Sequence, residues 1–540
     1  MRNLKTCLMA SAAVACIGAA TPAHAQFAFG AGATFPSIVY RQLMDCVGLQ
    51  AQGDAGAGPL SGTPLPIAPA CPSFPFGDAS GQFEQILYAP TGSGNGKTAF
   101  LSNDPNTITV PSATNRVPYT DARVSGFPYP WVTFAGSDDV LTTGDVTTYN
   151  TAFPASDTRP GYAGNTRQQL FGNIVQLPTV AGPVAIIFNG KDGAGTTLPL
   201  PAVSPADAAL GKTSNLNLKR KTLCGIFSGH VTKWSNALLV ADNPSLSTAT
   251  GDIKVAHRQD GSGTSFLLTN ALATQCQFEF GPQNETTSTL VSYAFPWTDR
   301  NVSTSLCSTT LLMPRGSNLS NWPDFTNTSI TINQDQCGGA ISNPGGGHFI
   351  NPTSSGNAAV VALVTSTDGA IGYSTSDFVQ PVVPASSGGL PTANLQNQWE
   401  IAHGTANYVW PSPASTERAM ASAIPSMDST TRGDPLTWSL QGVAPNPTNK
   451  DAYPIAGFTW VFAYQCYAPS STNNGIATLL QTLNFLYGTA DAANIVKANG
   501  FTTVPNAWAA EVFALLSDAN LTPTIAGGSG PCAAKVGAKG

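Results

Sequence analysis

The sequence predicts an α/β fold, and three observations carry that expectation. Apolar runs of strand length recur along the chain, helix-start signals fall between them, and several of those starts are small-residue turns leading straight from a run into a helix. The chain has 540 residues, enough for more than one domain. Apolar residues make up 42% and charged residues only 10%, so a large core is possible while the surface must be built from Thr, Ser, Asn and Gly. Coiled coils and wholesale disorder are excluded by that composition. The net charge of −6 argues against nucleic-acid binding, which needs a basic footprint.

In chain order, Arg2 and Lys5 precede an apolar stretch and an Ala23-His24-Ala25 cleavage pattern. Residues 1–25 therefore read as a secretory signal cut before Gln26. Removing Arg2 and Lys5 takes the net charge from −6 to −8. Strand-like runs follow at Glu84–Tyr88, Trp131–Phe134, Val184–Phe188, Ile253–Ala256 and Ala359–Val364. Helices are expected from Pro36, near Thr222, near Ser265 and from Gly475. Residues 51–75, 102–130 and 384–450 are rich in Gly, Pro, Asn or Ser and read as insertions.

Eight cysteines lie beyond the signal: Cys46, Cys71, Cys224, Cys276, Cys307, Cys337, Cys466 and Cys532. An even number in an exported chain implies four disulfides, but eight cysteines allow roughly a hundred pairings. There is no C-x-x-C, and the four histidines beyond the signal show no metal-ligand spacing, so neither a metal nor a cofactor is expected.

Four segments carry chemistry. Gly92-Ser93-Gly94-Asn95-Gly96-Lys97-Thr98 imitates a phosphate-binding P-loop but has Thr91 where that pattern needs Gly. It reads as a surface loop or as an anion-binding turn whose small residues free backbone N–H groups. Val255 to Leu268 passes from a short strand through a small-residue turn into a helix. Ser262, Gly263 and Thr264 then sit where helical N–H groups lack intrahelical partners, a natural anion site. Arg258 adds a planar fork for two oxygens, and Asp260 can hold that fork. Gly30 to Pro36 makes a similar turn, with Thr34 as hydroxyl donor and Pro36 opening the helix. Phe134 to Asp139 reads as a strand ending in two carboxylates, either an N-cap followed by a solvated acid or part of a site.

Together these blocks resemble the phosphate-binding proteins of the phosphate ABC transporter, and especially the DING subgroup. The ordered matches are GAGATFP at 30–36, GSGNGKTAFL at 92–101, AGSD at 135–138 and QLPTVAGPVAIIFN at 176–189. They continue as LCGIFSGHVTKW at 223–234, HRQDGSGTSF at 257–266, GAIGY at 369–373 and YPIAGFTWVFAYQCY at 453–467. Phe27-Ala28-Phe29-Gly30 stands where DING proteins carry their eponymous tetrapeptide.

The resemblance implies a two-lobed α/β binding protein, type II-like, that closes on one oxyanion. Lobe 1 would comprise residues 26–182 and 455–540, and lobe 2 residues 183–454. The implied phosphate ligands are Thr34, Phe35 through its backbone N–H, Ser93, Asp138, Arg258, Ser262, Gly263 and Thr264, with Asp260 orienting Arg258. Sequential pairing gives disulfides Cys46–Cys71, Cys224–Cys276, Cys307–Cys337 and Cys466–Cys532, the second and fourth with counterparts in the DING group. The expected protein is a periplasmic or secreted monomer that binds inorganic phosphate without catalysis, with a transporter permease as membrane partner. A phosphoester hydrolase or an extracellular interaction protein on the same fold are the alternatives.

Overall fold

The computed structural model describes residues 26–47, 84–111, 116–118, 129–284, 287–295, 322, 347–405, 407–469 and 475–539. Nine strands form one sheet: β1 Gln26–Gly32, β2 Glu84–Ala89, β3 Phe134–Ser137, β4 Ile174–Phe188, β5 Lys254–Ala256, β6 Phe349–Ile350, β7 Ala370–Thr375, β8 Ala456–Tyr464 and β9 Thr502–Thr503. Their order is β6-β5-β7-β4-β8-β3-β1-β2, with β9 added on β4. The helices that matter for the site are α1 Ser37–Val47, α2 Ser93–Ser102, α3 Gly263–Gln275, α4 Asn357–Ser366 and α5 Gly475–Gly488.

β4 organises the sheet. All its fifteen residues are buried, as a strand covered on both faces must be. From Ile174 to Pro183 it pairs antiparallel with β8, and from Val184 to Phe188 antiparallel with β7. One continuous strand thus joins two groups of strands, the α/β two-lobed architecture expected from the sequence. β1, β2 and β3 run parallel to one another on one side, as do β5, β6 and β7 on the other.

Two strand expectations need correction. The run at Trp131–Phe134 gives a strand only from Phe134, which continues to Ser137. The small residues after Phe134 are what fit there, since a Cβ on Gly136 would lie 2.4 Å from the Tyr88 hydroxyl. Ala359–Val364 is not a strand but the middle of α4. Val360 and Val364, one helical turn apart, are both fully buried in a cluster with Ala185, Ala256 and Ala370. A short, evenly apolar run does not distinguish a buried strand from a packed helix.

The 384–450 insertion is part of the body of the protein. Its helix Pro413–Met420 buries Met420, and its helix Pro435–Gln441 buries Trp438 against Trp508. Residues 51–75 and most of 112–128 lie outside the described residues, as does the signal segment 1–25. Disulfides Cys224–Cys276 and Cys466–Cys532 are formed as expected. Cys46 is disulfide-bonded; Cys71, Cys307 and Cys337 lie outside the described residues. Among the described residues no helix is long and apolar enough to cross a membrane.

Candidate anion-binding site

In open α/β sheets, ligands bind beyond the carboxyl ends of parallel strands. Here the segments leaving β1, β2, β3 and β5 meet at one point, and α1, α2, α3 and α4 begin around it. The backbone permits this close approach at two glycines. Gly32 has φ +143° and leaves no room for a Cβ, which would sit 1.9 Å from the Gly136 carbonyl. Gly92, at φ +97°, precedes α2, and its N–H donates to the Gly32 carbonyl at 2.8 Å. Lys97 does not face the site; it pairs with Asp139 at 2.8 Å and Asp145 at 3.1 Å.

Ser93, the first residue of α2, joins the two groups of strands. Its Oγ accepts from the Gly263 amide at 3.1 Å and from the Asp138 amide at 3.3 Å, and stands 3.4 Å from Asp138 Oδ2. Ser262 caps α3, accepting from the Ser265 amide at 3.2 Å. Thr264 is 1% exposed and its hydroxyl has no partner among the described residues. A buried orphan hydroxyl at a helix N-terminus fits a ligand oxygen. The Phe35 ring is anchored edge-on against Phe501, 5.2 Å away, which fixes the backbone that presents its amide.

Arg258 is 1% exposed. Its Nε and Nη2 bind the two Asp260 oxygens at 2.7 and 2.6 Å, and Nη1 donates to Asn357 Oδ1 at 2.7 Å and Thr34 Oγ1 at 3.3 Å. The Nε side of the fork thus belongs to Asp260 and Nη1 to Asn357 and Thr34, which leaves one Nη2 N–H for an anion. Asp260 raises the affinity of Arg258 for its proton although burial opposes it. The guanidinium is a fixed, buried cation.

Asp138 is 1% exposed, so the N-cap reading fails; Thr142 caps the next helix instead. Burial pushes its carboxyl up to about 7, against the opposing pull of Thr459, Arg258 and Ser93. Thr459 Oγ1 donates to Asp138 Oδ1 at 2.7 Å. Asp139, likewise buried, is raised by burial and eased by Lys97.

All of Thr34, Phe35, Ser93, Asp138, Arg258, Asp260, Ser262, Gly263 and Thr264 therefore lie in one neighbourhood. Sequence reasoning missed Asn357, Thr459 and Tyr373, whose hydroxyl accepts from the Arg258 amide at 3.1 Å. Asn357 was hidden by reading its helix as a strand. Thr459 did leave a signal, as the single polar residue in the apolar run GFTWVFAY.

The arrangement offers many fixed N–H and O–H donors, one guanidinium held by Asp260, and the Asp138 carboxylate. Helix N-termini and oriented amides can hold an anion without a matching counter-charge, even in an acidic protein.

A relative from Pseudomonas aeruginosa named alkaline phosphatase L is 26% identical over 423 residues, covering 78% of each chain. A prokaryotic protein named phosphate-binding protein is 28% identical over 435 residues, 79% of this chain and 86% of its own. The solved structure of a periplasmic phosphate-binding protein (PfluDING) with phosphate shares the fold, with a TM-score of 0.53 at 23% identity, covering 92% of this chain and 96% of that one. The family model described as a PBP superfamily domain matches residues 29–487, and the chain belongs to that superfamily.

Proposed function

We propose that the protein is an exported binding protein for inorganic phosphate, with lobe 1 at residues 26–182 and 455–540 and lobe 2 at residues 183–454. Its ligands are Thr34, the Phe35 amide, Ser93, Asp138, Arg258, Ser262, Gly263 and Thr264. The switch of β4 from β8 to β7 at Pro183 and Val184 supports that boundary. The names of the relatives support phosphate as the ligand and a periplasmic location; a transporter permease would be the membrane partner of such a protein.

The observation that carries the reading is Asp138. A carboxylate among donors is out of place for a fully deprotonated anion. It fits hydrogen phosphate, whose P–OH donates to it. Sulfate, alike in shape, would set a bare oxygen against the carboxylate, and such like-charge contact costs several kcal/mol. Titration of wild type and Asp138→Asn with phosphate and sulfate tests this. The amide keeps phosphate binding and lets sulfate in; an unchanged phosphate-to-sulfate ratio overturns the assignment.

A second reading, phosphomonoester hydrolysis, is favoured by the name of the Pseudomonas relative and by a serine hydroxyl facing a carboxylate, Ser93 Oγ to Asp138 Oδ2 at 3.4 Å. Turnover of a chromogenic phosphomonoester that is lost in Ser93→Ala would support it. Binding remains the better reading. The Gly263 and Asp138 amides already donate to Ser93 Oγ, which suits holding a ligand more than attacking one.

A further inference from the structure

β4 and β8 are not in perfect register. Thr459 lies opposite Val180 while the next residue, Trp460, lies opposite Pro178, so Thr179 is an extra residue on β4. Proline inside a sheet is confined to edges and bulges, and Pro178 marks this one. The bulge is tied down by neighbours. Thr179 Oγ1 donates to the Thr459 carbonyl at 3.0 Å, the Tyr40 hydroxyl is hydrogen-bonded to Thr179 Oγ1, and the Tyr487 hydroxyl donates to the Pro178 carbonyl at 2.5 Å. Bulges next to binding sites re-aim side chains. Facing this bulge on β8 is Thr459, fully buried, with its hydroxyl on Asp138 Oδ1.

We propose that Thr459 is the positioning residue for selectivity: by donating to Asp138 Oδ1 it holds Asp138 as a hydrogen-bond acceptor and turns Oδ2 towards the ligand. This rests on the phosphate reading above. The geometry gives the carboxylate two unlike oxygens. Oδ1 is taken by Thr459, and Oδ2 stands beside Ser93, where the ligand donors converge. A hydroxyl donating to a carboxylate favours its charged form, and Thr459 is the strongest of the groups that oppose the effect of burial on Asp138. Arg258 and Ser93 act in the same direction, and Asp139 acts against them. Asp377, Tyr40 and Tyr88 also sense the charge of Asp138. Without the Thr459 hydroxyl, Asp138 keeps its proton to higher pH. A protonated Asp138 is a donor and accepts sulfate as readily as phosphate.

Sulfate is the suitable probe, because it does not itself titrate near neutrality. Its affinity is measured by calorimetry from about pH 5 to about pH 9 for wild type, Thr459→Val and Thr459→Ser, with a phosphate titration as reference. In wild type, sulfate affinity is flat below the carboxyl's titration and falls about tenfold per pH unit above it. In Thr459→Val that break moves up by about one to two pH units, the worth of one hydrogen bond to a charged group. Thr459→Ser, which keeps the hydroxyl, breaks where wild type does. A merely structural role for Thr459 lowers the melting temperature and both affinities without moving the break. The inference is overturned by an unmoved break in a folded Thr459→Val, or by a wild type that binds phosphate with no break for sulfate. A wild type that binds no phosphate instead overturns the functional reading beneath it.

Discussion

Replacing Gly263 with Ala should weaken phosphate binding while leaving the unliganded protein intact. A Cβ at this position would lie 2.5 Å from Ser93 Oγ, 2.6 Å from Asp138 Cβ and 2.7 Å from Asp138 Oδ2. Ordinary contact between such atoms begins near ~3.5 Å, and Asp138 Cβ cannot move without its backbone. Overpacking of this kind typically costs about 1–3 kcal/mol. Under the proposed division, Gly263 belongs to lobe 2, and Ser93 and Asp138 to lobe 1. The whole cost then falls on the closed cleft and none on the open one. Phosphate affinity should drop roughly 5- to 150-fold. Gly263 begins α3 outside the left-handed region, and Ala is the better helix former, so the melting temperature without phosphate should hold or rise slightly. Calorimetry with phosphate and thermal melts without it are the two readouts. Affinity within twofold of wild type would refute the closed-cleft geometry. A large fall in melting temperature would place Gly263 in the permanent core instead.

Other outcomes follow from the same geometry. Arg258→Ala removes the one cation of the proposed ligand set and strands the Asp260 carboxylate. Phosphate affinity should fall roughly 30- to 5,000-fold, and Arg258→Lys should bind poorly because Lys cannot grip Asp260 and the ligand at once; calorimetry reads both. Asp138 holds a proton to about pH 7 when folded and loses it near the ordinary carboxylate value when unfolded. Its contribution to stability is therefore complete below about pH 4 and is lost as pH rises through about 7, on the order of 4 kcal/mol for the unliganded protein. Denaturant melts across that window should show the decline in wild type and a smaller one in Asp138→Asn; equal slopes would contradict the shift. Cys224→Ser with Cys276→Ser opens a 52-residue separation and should cost about 4 kcal/mol of stability. Phosphate affinity should stay near wild type, since Cys276 ends α3 at the far side from Gly263; a large affinity loss would show that α3 is held in place from that end.

Much of this site was legible in the sequence because its chemistry is local. A strand, a small-residue turn and a helix start within a dozen residues, and the residues needed to bind an anion are those that make such a turn. Ser262 shows this: it is the N-cap of α3 and a proposed ligand at once. The distant partners were harder. Asn357 reaches Arg258 across 99 positions and Thr459 reaches Asp138 across 321, and no local pattern encodes such pairings. The strand assignment at Ala359–Val364 failed for the related reason that packing, not propensity, decides a short apolar run. The bulge at Thr179 was written in the sequence as Pro178, but its meaning needed the facing strand.

The central claim is that this cleft binds an oxyanion that brings its own proton. Its most direct measurement is a pair of calorimetric titrations of wild type, phosphate and sulfate, near pH 8 at constant ionic strength. At that pH Asp138, which titrates at about 7, is mostly ionised. The account predicts saturable one-to-one binding of phosphate and, one pH unit above the carboxyl's titration, an affinity for sulfate about tenfold weaker. Equal affinities for the two anions, or no heat with phosphate, would contradict it.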